Sequence, residues 1–150
     1  MLCLSGPHKV VVKEDTDAIL PCLSSPKQNL ERDIFDWKKD GQKEVFFYDA
    51  GSHYNNGRRG QDAQFEGRVF HFPEELRHGN ASIMIRNAKM EDAGNYTCFF
   101  PRLQADIESL RVELIVGKRA DPTSIVFDGS GGDSPFSFSF SFLLAFFGDR

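Results

Sequence analysis

The stretch DAGNYTC, residues 92–98, sets an aspartate, a glycine, a tyrosine and a cysteine at alternate positions, with the triplet Asn95-Tyr96-Thr97 laid over them. In a β-strand alternate residues point to one face, so Tyr96 and Cys98 go together while Thr97 and Phe99 take the other side. Cys98 is one of three cysteines; Cys22 lies 76 positions earlier in DAILPCL (17–23), and Cys3 sits almost at the start. Cys22 shares a strand face with Ala18 and Leu20. Two well-embedded cysteines, with no C-x-x-C spacing, suggest one long-range bridge in a chain that matures in an oxidising compartment. The competing reading is two free buried thiols, which requires Asp92, Gly94, Tyr96 and Cys98 to fall at these spacings by chance.

Working outward, the chain from His8 to Val116 alternates short apolar-patterned runs with turn residues, the rhythm of an all-β fold. HKVVVK (8–13) reads as an edge strand, and Pro21 strains the strand reading of 17–23 because it lacks a ladder donor. IFDWKKD (34–40) puts Phe35 and Trp37 on one face and Asp36 and Lys38 on the other, with the turn supplied by Asp40-Gly41. EVFFYD (44–49), GRVFHF (67–72), ASIMIRN (81–87), YTCFF (96–100) and ESLRVELIV (108–116) continue the series. In ASIMIRN, Ile83 and Ile85 face inward. Residues 50–64 read as a loop or irregular edge; PEEL and KMEDAG are candidates for a single helical turn. With 150 residues and 40% hydrophobic content, one domain buries enough surface to be stable. A net charge of -4 without a basic block argues against nucleic acid as partner. The four histidines (8, 53, 71, 78) are scattered, so we expect no metal and no cofactor.

Cys22, Trp37, Tyr96 and Cys98 now form a pattern. Two inward cysteines tie two sheets together, Trp37 packs on the bridge, and the Tyr96 hydroxyl returns to the backbone of the preceding corner. That is the signature of an immunoglobulin sandwich. A bridge closing so long a loop stabilises by roughly 4 kcal/mol in the chain-entropy model. DAGNYTC resembles the D-x-G-x-Y-x-C motif of V-type domains, and FEGRV (65–69) resembles their fourth-strand entry. The resemblance implies a V-type, two-sheet Greek-key sandwich with one inter-sheet disulfide, and a salt bridge between Arg68 and Asp92. It also implies that EVFFYDAGSHY supplies the two extra V-type strands. HGNASIMIRNAKMEDAGNYTCFF resembles butyrophilins, myelin-oligodendrocyte glycoprotein and the T-cell costimulatory ligands. The resemblance covers about residues 8–117. ADIESLRVELIV (105–116) lacks the G-x-G of receptors that pair as heterodimers.

Function is therefore expected in contact, not chemistry. There is no G-x-S-x-G elbow, no P-loop and no paired carboxylate in a pocket-forming context, and the resemblance is to recognition domains. We expect an extracellular module, secreted or on the outer side of the plasma membrane, that binds a protein receptor on an immune cell and modulates its activation. Homophilic adhesion is the alternative. The docking face is expected to centre on Phe99, Phe46, Tyr48, Lys38 and Arg111, with Arg102 and Leu103 at a loop tip as second candidates. Two sequons, Asn80-Ala81-Ser82 and Asn95-Tyr96-Thr97, mark Asn80 and Asn95 for N-glycosylation.

The ends read differently. MLCLSGP (1–7) has the composition of a signal-peptide remnant, with Cys3 either part of it or an odd thiol. Residues 118–135 read as linker. The Phe/Ser-rich tail 136–150 has three readings: a truncated membrane segment, a rudimentary lipid-anchor signal, or a disordered tail.

Overall fold

The computed structural model of the chain describes residues 8–24, 26–103 and 110–119. The readings of 1–7, of the 136–150 tail and of most of 118–135 fall outside those residues. Nine strands lie within them: β1 (His8–Lys13), β2 (Ala18–Leu20), β3 (Ile34–Lys39), β4 (Lys43–Asp49), β5 (Ser52–His53), β6 (Val69–His71), β7 (Ile83–Ile85), β8 (Gly94–Phe99) and β9 (Leu110–Gly117). They form a six-stranded sheet in the order β1-β9-β8-β3-β4-β5 and a three-stranded sheet in the order β2-β7-β6. Neighbours run antiparallel except β1 and β9, which run parallel.

Local chemistry explains the boundaries. Pro21 ends β2 early, because the next ladder bond needs an N–H that proline lacks. Cys22 is held inward beyond it: its N–H donates to Ser82 Oγ and its carbonyl accepts from Ala81 N–H. Asp40 and Gly41 both have positive φ (50° and 75°), as the tight β3–β4 turn requires. In the 50–64 stretch, β5 is followed by a 3-10 turn at Tyr54–Asn56. Both PEEL and KMEDAG contribute 3-10 turns, Pro73–His78 and Met90–Asp92.

Between the sheets, Cys22 and Cys98 are joined, with Cα atoms 6.4 Å apart. Trp37 is fully buried and its Nε1–H donates to the Ala81 carbonyl at 2.9 Å, so the polar end of the ring is satisfied. Leu20, Ile83, Ile85 and Tyr96 are buried in the same core. The Tyr96 hydroxyl donates to the Asp92 carbonyl.

Arg68 and Asp92 close the bottom of the sandwich. The guanidinium meets the carboxylate with two bonds of 2.9 Å each and also donates to the carbonyls of Gln64, Arg86 and Asn87. Asp92, fully buried, receives further bonds from Lys89 N–H and Gln64 Nε2. Burial opposes ionisation of Asp92, but the bonds from Arg68, Lys89 and Gln64 outweigh it and hold its carboxyl below the usual carboxylate range. The ionised form is therefore favoured by folding. Its contribution is present above the ordinary value of 3.8 and lost as pH falls through the lower folded value.

Asp92→Asn leaves the half-buried Arg68 without its counter-charge. We expect a loss of about 3–5 kcal/mol in the denaturant-unfolding free energy at neutral pH, shrinking towards acid. A variant as stable as wild type at neutral pH would contradict this role.

Candidate functional site: the outer face of the larger sheet

With Trp37, Tyr96, Cys98, Val112 and Leu114 buried against the second sheet, their neighbours in sequence form the opposite face. Cross-strand register arranges that face in rows. One row runs Phe47–Asp36–Phe99 across β4, β3 and β8. A second runs Glu44–Lys38–Thr97–Arg111 into β9. A third joins Asn95 to Glu113 and Lys9. Phe99 is 38% exposed, Arg111 is exposed, and Lys38 reaches Glu44 at 3.6 Å.

Two expected members of this face are not on it. Phe46 is 0% exposed and Tyr48 is buried as well. The register pairs Trp37 with Phe46 and Phe35 with Tyr48, so these aromatics share the core side with their partners. The Tyr48 ring stacks on Phe35 at 5.0 Å, and its hydroxyl donates to the Glu31 carbonyl at 2.7 Å. Phe46 lies against the rings of His53 and His71, at 5.7 Å and 5.4 Å. Those histidines touch each other at 4.8 Å, and burial lowers both, His71 to about 4. They are neutral packing groups at physiological pH.

The physical reason for the misplacement is a bulge. The β3–β4 register shifts between Trp37 and Lys38, leaving Val45 as an extra residue on β4, so Val45 and Phe46 are buried in succession. The aromatic that does face outward is Phe47, paired with Asp36 and covered by the Arg58 guanidinium at 4.4 Å. At the second candidate spot, Arg102 is exposed, but Leu103 is half-buried and packs on the core, which withdraws it from a loop-tip role. Residues 104–106 of that loop lie outside the described residues. Of the sequon asparagines, Asn95 is exposed, whereas Asn80 is half-buried and accepts from Ser82 N–H at 3.0 Å.

Asp36 is the group that the sequence pattern hid. Alternation puts it outward, and it is outward, yet it is only 7% exposed and its Oδ1 has no hydrogen-bond donor. Burial is the first cause of a carboxyl pKa raised to about 7; the neighbouring Glu44 adds to it, and Lys38 opposes it. As a carboxylate, Oδ1 lacks a partner. Once protonated, Asp36 shares its hydrogen with Glu44, whose Oε1 also accepts from the Tyr54 hydroxyl at 3.1 Å. Among the described residues no group of three His, Cys, Asp or Glu is placed to hold a metal ion.

A twisted, disulfide-joined sandwich with two additional strands beside β3 and an aromatic-and-charged outer wall defines a V-type recognition domain. The chain belongs to the immunoglobulin V-set family, whose model matches residues 5–116. It is 32% identical over 88 residues to a CD276 antigen homolog of Xenopus laevis, covering 57% of this chain and 27% of that protein. The rat V-set domain-containing T-cell activation inhibitor 1 is 29% identical over 106 residues, covering 64% of this chain and 36% of that protein. The crystal structure of bovine butyrophilin superposes with a TM-score of 0.65 at 26% identity, over 77% of this chain and 54% of that one. The chain thus spans only about a quarter to a third of the length of these two curated relatives. The domain is related to butyrophilin and to regulators of T-cell activation, in a family whose members recognise other molecules without catalysis.

Because Asp36 binds its proton more tightly folded than unfolded, its contribution to stability falls as pH rises from 3.8 towards about 7. Asp36→Asn, an amide of the same shape that donates to Glu44 at any pH, flattens that slope. We expect it to be more stable than wild type by on the order of 1–2 kcal/mol at about pH 8. A parallel pH profile for the two proteins in thermal unfolding would refute the assignment.

Proposed function

We propose that this domain is an extracellular recognition module whose outer face docks a protein receptor on an immune cell and thereby tunes that cell's activation. The observation that carries this reading is the Phe47–Asp36–Phe99 row: two partly exposed rings on either side of a buried carboxyl, with Arg58 over Phe47 and Lys38 and Arg111 in the adjacent row. Aromatic and arginine side chains around a desolvated centre are the composition on which protein interfaces concentrate their binding energy. Kinship with T-cell activation inhibitors supports the class of partner. A disulfide of the kind that persists in oxidising surroundings supports the extracellular setting.

The test is staining of resting and activated T cells with the multimerised protein. Phe99→Ala and Phe47→Ala are each expected to weaken binding at least about tenfold, the loss typical of an anchoring aromatic. Arg102→Ala is expected to change it little. Undiminished staining by both phenylalanine variants would displace the docking site from this face. Sedimentation that depends on protein concentration and is abolished by Phe99→Ala would instead assign the face to self-association.

A further inference from the structure

The sequon at Asn95 lies on the docking face itself. Asn95 is exposed near the start of β8, directly opposite Glu113, which in turn pairs with Lys9. Its backbone is fixed on the β3 side: Asn95 N–H donates to Asp40 Oδ1 at 3.1 Å, and its carbonyl accepts from Asp40 N–H at 2.7 Å. The side chain is left facing solvent. Thr97, which completes the triplet, stands one row up between Lys38 and Arg111. Asn80 is placed otherwise. It forms an isolated antiparallel bridge with Leu23, half-buried, with Nδ2 donating to Glu75 at 3.3 Å and Oδ1 accepting from Ser82.

We propose that Asn95 carries an N-linked glycan that covers the Asn95–Glu113–Lys9 end of the outer face and confines a docking partner to the Phe47–Asp36–Phe99 end. This rests on the extracellular reading, because the donor is a lipid-diphosphate oligosaccharide of the secretory pathway. In the transfer, the bond from the sugar's anomeric carbon to Asn95 Nδ2 forms as its bond to the diphosphate oxygen breaks. The amide gives up one proton and the lipid diphosphate leaves; no redox change is involved. A bulky, hydrated group fits here without disturbing the core, because nothing inward depends on the Asn95 side chain. Four residues at a strand rise of about 3.3 Å place Phe99 some 13 Å from Asn95. The row of aromatics therefore lies farther from the attachment point than the Lys38–Thr97–Arg111 row, which is two residues away along the strand.

The experiment uses the whole chain secreted from animal cells. Enzymatic release of N-glycans in heavy-oxygen water marks each formerly occupied asparagine as a labelled aspartate in the peptide map. Amine acylation rates of Lys9, Lys38 and the distant, exposed Lys27 are then compared before and after release, and in Asn95→Gln. We expect label at residue 95 and a severalfold faster acylation of Lys9 and Lys38 on glycan removal, with Lys27 unchanged. An unlabelled residue 95, or a labelled one whose removal leaves Lys9 and Lys38 rates as they were, overturns the proposal. Neither readout requires the receptor, so failure here leaves the phenylalanine test of the docking face standing on its own.

Discussion

The Cys22–Cys98 bridge, with Trp37 packed in the same core, sets the phase of the larger sheet. Side chains alternate with a period of two, so anchoring one residue of a strand inward assigns every other residue of that strand to a side. Cys98 inward makes Asn95, Thr97 and Phe99 outward. Trp37 inward does the same for Asp36 and Lys38, and the β8–β9 register hands the choice on to Arg111 and Glu113. A slip of one residue in β8 would bury Asn95, Thr97 and Phe99 and expose the sulfur. The make-up of the outer face and the sealing of the core are thus two consequences of one covalent and steric constraint.

The residues of DAGNYTC divide among the demands of that arrangement. Asp92 neutralises Arg68 at the corner between the two sheets, and Tyr96 ties the same corner by donating to the Asp92 carbonyl. Gly94 is required where β8 passes β3 closely: its φ is 151°, and a Cβ there would meet Lys39 Cε at 2.8 Å and the Asp40 carboxylate at 3.2 Å. Cys98 closes the core. Asn95 and Thr97, left over by the alternation, belong to the surface.

The outer wall is less simple than alternation suggests, because β4 carries a bulge. One extra residue at Val45 keeps Glu44 beside Lys38 while swinging Phe46 to the core side. The same local geometry brings Glu44 and Tyr54 against Asp36, creating a carboxyl pair that holds a proton near neutrality. A buried polar atom without a donor is costly in an isolated domain. Asp36 lies on the outer face of the larger sheet, between the partly exposed Phe47 and Phe99.

The sequence by itself determined the class of fold, because a widely spaced pair of cysteines, a tryptophan, and the aspartate, glycine and tyrosine of one strand form a pattern that can be read from residue identity and spacing alone. It also determined which side β3, β8 and β9 present, for alternation in those strands is unbroken. It erred at Phe46, Tyr48 and Leu103 and passed over Asp36 and Phe47. There the outcome turns on register across strands: a bulge has no signature in a run of three aromatics, and burial of an outward residue depends on neighbours distant in the chain. Only the tertiary structure decided those, because side-chain direction follows from one strand's own period whereas burial and proton affinity follow from what the next strand places alongside.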